Sequence, residues 1–196
     1  GGDTSLRGRS GPLTVTECPD TNPLYDALFA AADCVGLARN SDYNGIDQEG
    51  IATAQTTISA GRRMSVAHCY LKPAMRRDNR AVITQAHVDN LVFDGSRCTG
   101  VRYTRSGQTH EATAACEVVL SAGAIKSPQL LELSGIGRAD VLARNGITLR
   151  HELAGVGEGL RDHLSPRMGW PVLRRGVSFN DRARGMKLGW QVLRYA

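Results

Sequence analysis

Several features that mark common classes of function are missing from this 196-residue sequence. It has no run of about 20 apolar residues, so no membrane span is expected. Aromatic residues make up only 5% of the chain and its 21 arginines are spread along it, which argues against nucleic-acid binding. The N-terminus has neither the apolar centre of a secretory signal nor an initiating methionine. We therefore expect a soluble, cytoplasmic chain that has been processed, truncated or excised.

Motifs for metal, nucleotide and nucleophilic chemistry are missing as well. The five cysteines are odd in number and form no CxxC pair, so we expect reduced, mostly buried thiols and no zinc site. The stretch GVGEGL places Leu160 where a dinucleotide fingerprint needs its third glycine, and there is no P-loop. No serine lies in a GxSxG context and no carboxylate pair stands out. We therefore assign no catalytic residue and no metal ligand in this chain.

The histidines offer one candidate for chemistry. In the sequence RDHLSP, Asp162 and His163 stand next to each other in a loop framed by glycines. Neighbouring loop residues seldom face each other, so a structural hydrogen bond is a better interpretation than a catalytic Asp-His pair. His68 and His87 fall within predicted elements and are interpreted as structural or half-exposed.

Apolar periodicity and turn residues predict a mixed fold, of class α/β to α+β. Between residues 81 and 120, turn signals at DG and SG separate three runs with alternating apolar positions, which predicts a three-stranded antiparallel meander. Helices are predicted over residues 22–38, 65–75, 138–146 and 181–196. Short strands are predicted over residues 10–15, 51–59, 147–153 and 169–173.

The stretch SAGAIKSPQLLELSGIG, residues 121–137, combines glycines, a proline and leucines. The apolar run Val118–Leu120 before it predicts a buried strand. Ser127 and Pro128 suit the cap and first position of a short helix, which SGIG then ends. Small residues at a strand end let another surface approach the backbone closely. That surface could be a ligand, or the stretch could be only a strand packed under a helix; the spacing favours neither.

The same stretch resembles the second signature of the glucose-methanol-choline (GMC) oxidoreductases. The signature is met at Gly123-Ala124, Ser127-Pro128, Leu130-Leu131 and Ser134-Gly135-Ile136-Gly137. Other segments resemble the family in the same order, namely GPLTV, DYNG with QEG, GRRMSVAHCYLKPAMRRDN, GVRY and GVGEGLRDHL. The likeness is to the choline-dehydrogenase-like branch and runs from about residue 11 to residue 168. Gly159 departs from the asparagine that is usual in GVGENLQDH.

This resemblance implies a flavoenzyme with a discontinuous FAD-binding domain and a sheet-based substrate domain. Such enzymes oxidise alcohols by proton removal and hydride transfer to the flavin. Their dinucleotide fingerprint and catalytic histidine lie near the two ends of longer chains, so this chain resembles a middle section. The resemblance also implies that Ser121, Ala122 and Gly123 end a strand of the FAD-binding sheet and admit the adenosine side of the cofactor. It implies that the backbone of Val88 meets the adenine ring.

By the same resemblance, residues 1–75 form part of the substrate or cap region and residues 76–165 part of the FAD-binding region. Residues 166–196 then begin a second substrate-domain segment. The expected partners are a small-molecule alcohol and the remaining segments of the longer chain. The isolated chain is expected to be inactive and not to retain FAD. Two alternatives stay open: a non-catalytic binding or scaffold module, and hydroxynitrile-lyase-like chemistry on the same fold.

Overall fold

The computed structural model describes residues 6–18 and 21–195 of the chain. It divides into two compact units, one formed by residues 1–80 with 168–196 and the other by residues 81–167. Among the described helices, none has the length and apolar character that crossing a bilayer requires.

The helix α1, Pro23–Cys34, is the longest element of the first unit. It begins at Asn22, whose side-chain oxygen accepts the Leu24 N–H at 3.0 Å. Pro23 fits the first turn because no backbone donor is needed there. Gly36, with φ at +75°, follows its end. The predicted helix over residues 22–38 is therefore confirmed, with a slightly earlier end.

The other elements at the start of this unit are short. Two antiparallel pairs are formed by two-residue strands: β1 (Thr16–Glu17) with β2 (Gln55–Thr56), and β3 (Ile58–Ser59) with β4 (Arg62–Arg63). The predicted strand over 51–59 is thus two shorter strands, and the one predicted over 10–15 lies slightly later in the chain.

The predicted helix over residues 65–75 is confirmed in position but has a different geometry. A π-helix, Ala67–Leu71, runs into a single turn of α-helix, α2, Lys72–Ala74. The Lys72 N–H donates to the Ala67 carbonyl, and Pro73 has no N–H with which to continue an α-helical ladder.

The C-terminal part of the first unit is helical, as predicted, but it is interrupted. The helices α5 (Phe179–Arg182) and α6 (Met186–Tyr195) are separated by Gly185, whose φ is +59°. The prediction of a strand over residues 169–173 is wrong. That stretch pairs with no described strand, and Pro171 within it has no N–H for a ladder.

The second unit begins with the predicted meander. The strands β5 (His87–Asp94), β6 (Arg97–Arg105) and β7 (Gln108–Thr113) pair antiparallel in that order. Glycines with positive φ stand in both turns, as the DG and SG signals predicted. Gly100, in the middle of β6, is buried so close to the Ala112 carbonyl of β7 that a Cβ would collide with it. The predicted three-stranded antiparallel meander is therefore confirmed.

A helix packs on the meander and leads into a small parallel pair. The helix α3, Gly123–Leu133, contacts β5, and Leu91 and Leu130 are buried in this unit. The chain then continues through β8 (Ile136–Gly137), α4 (Ala139–Arg144) and β9 (His151–Glu152), and the two strands pair in parallel. Among the described residues, Leu142 of α4 is the most buried large side chain, at 1% exposure. The arrangement agrees with the α/β to α+β class.

Two predictions near α3 are wrong in detail. The helix begins at Gly123 rather than after Ser127, so Pro128 lies inside it. The run Val118–Leu120 belongs to no strand, and Val119 is 76% exposed. An apolar run becomes a strand only where neighbouring strands accept its backbone hydrogen bonds, and no described strand lies beside this one.

Candidate functional site

Three consecutive small residues, Ser121, Ala122 and Gly123, lie where the apolar run meets α3. We call them the small-residue corner. All three are exposed, so no large side chain of the described chain fills the space in front of them. At Gly123, a Cβ placed on the backbone would meet no atom within 4 Å. The corner is therefore open to a ligand or to another part of a protein.

The backbone at this corner is suited to glycine and leaves the start of α3 free of a side-chain cap. Gly123 has φ at +89°, a region that residues with a Cβ avoid. No side chain from the preceding residue, Ala122, caps the helix. Instead, the Ser127 hydroxyl, one turn into α3, accepts the Ala122 N–H at 3.1 Å. The first N–H groups of α3 therefore remain at an open surface, where a helix favours negatively charged groups.

Val88 lies on the neighbouring element of the same unit. It is half-buried in β5 and pairs with Tyr103 of β6. The register shifts immediately after it, so Asp89 is an extra residue, held by the Thr104 hydroxyl, which donates to its carboxylate at 2.8 Å. The strand β5 contacts α3, which begins at Gly123. A hydrogen bond that joins the two elements, from the Leu91 N–H to the Ser134 hydroxyl, lies at the opposite end of α3 from the small-residue corner.

Other residues of the signature hold α3 in place. Ser134 donates to the Leu130 carbonyl at 2.6 Å and accepts the Leu91 N–H of β5 at 2.9 Å. A Cβ on Gly135, whose φ is +84°, would come within 2.6 Å of the Thr148 carbonyl oxygen. The SGIG half of the signature is therefore explained by packing, whereas the small-residue corner at the other end of the helix is not.

Glu132 and Arg138 connect this signature to the glycine-rich loop that follows β9. A Cβ on Gly157 would come within 2.6 Å of a Glu132 carboxylate oxygen, which is the movable end of a flexible side chain. The φ of +79° is therefore the stronger reason for glycine at this position. Arg138 donates to Glu158 at 3.1 Å and to both carboxylate oxygens of Asp140 at 3.0 Å. Sequence reasoning missed these contacts because a separation of 20 residues between Arg138 and Glu158 gives no periodic signal.

The charges around Arg138 stabilise one another. The hydrogen bonds that Arg138 donates to Glu158 and then to Asp140 raise the pKa of its guanidinium above the usual value. Partial desolvation works to raise the pKa of Asp140, but the hydrogen bonds and charges of Arg138, followed by the charge of Arg144, lower it overall. These side chains are between 41% and 71% exposed, so the cluster orients the loop more than it stabilises the fold.

The DYNG segment, which also carries the resemblance, is tied to β2 in the first unit. The Tyr43 hydroxyl accepts the Gln55 N–H at 2.8 Å, and the Asn44 side chain donates to the Gln55 side chain at 2.8 Å. Arg7 forms an ion pair with Asp42 at 2.9 Å. These polar contacts fix a turn. Because Asp42 is paired with Arg7, the turn contains no pair of free carboxylates.

The remaining candidates for chemistry do not assemble into a site. The Asp162 carboxylate accepts the backbone N–H of His163 at 2.8 Å, which is a structural hydrogen bond. His110 stacks on Tyr103, with the ring centroids 5.3 Å apart. Across residues 6–18 and 21–195, no three histidine, cysteine or acidic side chains are grouped as metal ligands.

The cysteines are free thiols, but the expectation that most of them are buried is wrong. Cys69, in the π-helix, is buried, whereas Cys34 and Cys116 are exposed and Cys18 and Cys98 are intermediate.

Comparison with known proteins gives consistent results. A family model for GMC oxidoreductases matches residues 4–165. The oxygen-dependent choline dehydrogenase of Staphylococcus haemolyticus (strain JCSC1435) is 45% identical over 159 residues, which cover 81% of this chain and 28% of that protein. The mitochondrial choline dehydrogenase of Homo sapiens is 44% identical over 163 residues, which cover 83% of this chain and 27% of that protein. The chain thus spans less than a third of these relatives.

A solved structure shows the same fold. An FAD-dependent oxidoreductase from Chaetomium thermophilum superposes with a TM-score of 0.71 and 27% sequence identity. The match covers 79% of this chain and 27% of the other chain. The matching elements therefore recur as one part of a larger oxidoreductase.

Proposed function

We propose, on the premise that the chain belongs to the GMC oxidoreductase family, that it is one part of an FAD-dependent alcohol dehydrogenase or oxidase. Its substrate would be a small alcohol, since the two relatives described above are choline dehydrogenases. FAD, when bound, supplies the acceptor for the hydride that leaves the alcohol. This chain contributes binding surface rather than a catalytic residue.

The observation that carries this proposal is the open small-residue corner. Packing against the Thr148 carbonyl oxygen excludes a side chain at Gly135, and the positive φ of Gly123 favours glycine there. Nothing described inside the chain requires the lack of bulk at Ser121 and Ala122, which are exposed. A close ligand would explain that lack of bulk. We assign the adenosine side of FAD to Ser121, Ala122 and Gly123, and the adenine edge to the backbone of Val88.

The rest of the protein is expected to cover surfaces that this chain leaves exposed. Leu91, Leu130 and Leu142 are the large apolar side chains that the described residues bury. In contrast, Val119 and Ile125, on either side of the small-residue corner, are 76% and 69% exposed. We propose that strands and helices from other segments cover them and complete the FAD-binding region, which we assign to residues 76–165. Residues 1–75 and 166–196 are assigned to the substrate region.

The test uses the full-length protein that contains this chain. Purified without added cofactor, it should show the absorbance of bound flavin, and a primary alcohol such as choline should bleach that absorbance when oxygen is excluded. An alkane of similar length should leave the spectrum unchanged. A full-length protein that neither carries nor takes up flavin would exclude this function.

A further inference from the structure

The backbone of Val88 faces the outer edge of the meander. Leu91 of the same strand pairs with Val101 of β6, and its N–H leaves the sheet to donate to the Ser134 hydroxyl at 2.9 Å. Tyr103 follows Val101 by two residues, so both direct their backbone groups to the same side of β6. Val88 pairs with Tyr103 and therefore directs its N–H and carbonyl away from β6, to an edge beside which no described strand lies.

Thr104 fixes the two residues that flank Val88. On one side, His87 is the partner of Thr104 in the pairing of β5 with β6. On the other side, Asp89 is the extra residue of the bulge, and its carboxylate accepts the Thr104 hydroxyl at 2.8 Å. Thr104 and Asp89 are both half-buried. The Asp89 side chain thus reaches back past Val88 and ties the bulge to β6.

We propose that Thr104 and Asp89 are positioning residues, which orient the Val88 backbone for the adenine ring of FAD. The inference rests on the proposed function, in which the backbone of Val88 meets the adenine edge. A residue at a free strand edge offers an N–H donor beside a carbonyl acceptor, and adenine presents an amino donor beside a ring-nitrogen acceptor. Because a bulge changes the direction and twist of its strand, the bond between Thr104 and Asp89 sets where these two groups of Val88 point.

Thr99 provides a matched control for a purely structural role. Its hydroxyl donates to the Val92 carbonyl at 3.3 Å, so this bond also joins β6 to β5, and Thr99 is half-buried like Thr104. The bond lies at the other end of β5, away from Val88. Thr104→Val and Thr99→Val each remove one hydroxyl from the same pair of strands and replace it with a residue that favours strands.

The test compares FAD with its deaminated analogue, flavin hypoxanthine dinucleotide, on the full-length protein after its cofactor has been removed. Hypoxanthine has a carbonyl where adenine has the amino group, and an N–H where adenine has the ring acceptor, so it reverses the pattern that Val88 would bind. Titration followed by flavin fluorescence should show that the wild type prefers FAD by at least about tenfold. Thr104→Val should lower this preference by about tenfold, the effect of one well-directed hydrogen bond.

Further variants separate orientation from stability. Thr104→Ser keeps the hydroxyl and should keep the preference, as should Thr99→Val. Asp89→Ala should lose as much preference as Thr104→Val, and the double variant should lose no more than either. Equal preference in Thr104→Val and Thr99→Val, or loss in Thr104→Ser, would overturn this inference and leave the proposed function intact. A wild type that binds both dinucleotides equally would overturn it too, whereas a wild type that takes up neither would overturn the proposed function as well.

Discussion

Replacement of Gly123 by valine separates the backbone role of this glycine from its proposed role in cofactor binding. With φ at +89°, any residue with a Cβ is strained there, and the cost is about 1–2 kcal/mol. The new Cβ itself adds no clash within the chain, because it would meet no atom within 4 Å. Gly146 is a matched control: its φ is +68°, and its Cβ position is equally empty.

Both variants should therefore lose a similar amount of stability, but they should differ in flavin binding. In the full-length protein, we expect Gly123→Val to weaken FAD binding by at least about tenfold, which corresponds to 1.4 kcal/mol. Gly146→Val should retain the flavin. Urea unfolding measures the stability of each variant, and flavin absorbance after dialysis measures the cofactor. Equal flavin content in the two variants would refute the reasoning, since strain alone would then explain the glycine.

Two further predictions concern stability. Ser134→Ala should destabilise the protein by about 1–3 kcal/mol in urea unfolding, because it leaves the Leu91 N–H without its partner. Ser127→Ala removes a hydrogen bond at the surface and should cost only about 0.5 kcal/mol. Equal losses of stability in the two variants would contradict the packing role of Ser134. Hydrogen bonds from the Ser178 hydroxyl and then the Gly176 N–H lower the pKa of Asp181 in the folded protein. The ionised carboxylate therefore stabilises the fold above the usual pKa of about 3.9, and this stabilisation is lost as the pH falls through the lowered pKa of the folded state. An NMR titration should give a midpoint below 3.9 for this carboxyl, and a midpoint above it would contradict the hydrogen bonds.

The elements that could be predicted from the sequence are those whose signals are local. The meander follows from alternating apolar residues and two-residue turns with Gly95 and Gly107, all of which act between neighbours in the sequence. The start of α1 likewise follows from Asn22 and Pro23. In these places the turn or cap that sets the pairing is local, so the pattern is sufficient, even though residues paired in the meander lie up to 17 positions apart, as His87 and Thr104 do.

The features that could not be predicted depend on distant partners. Val118–Leu120 has the composition of a buried strand, yet no described strand pairs with it. Ser134 could be identified as part of a signature, but its bond to Leu91 spans 43 residues. The capping preference of serine predicts that α3 begins at Ser127, whereas the helix begins at Gly123 and the Ser127 hydroxyl accepts the Ala122 N–H from inside it. The assignment of FAD to Val88 and the small-residue corner stays a prediction.

Filling the small-residue corner without straining its backbone is the most direct test of the central claim. Ala122 has φ at −84°, a value that any residue adopts, and its side chain is exposed, so Ala122→Trp adds bulk at little cost in stability. Ala143→Trp, on the exposed side of α4, is the matched control. The measurement is the molar ratio of FAD to full-length protein. The account predicts a normal ratio for Ala143→Trp and little or no FAD in Ala122→Trp; a normal ratio in both would contradict it.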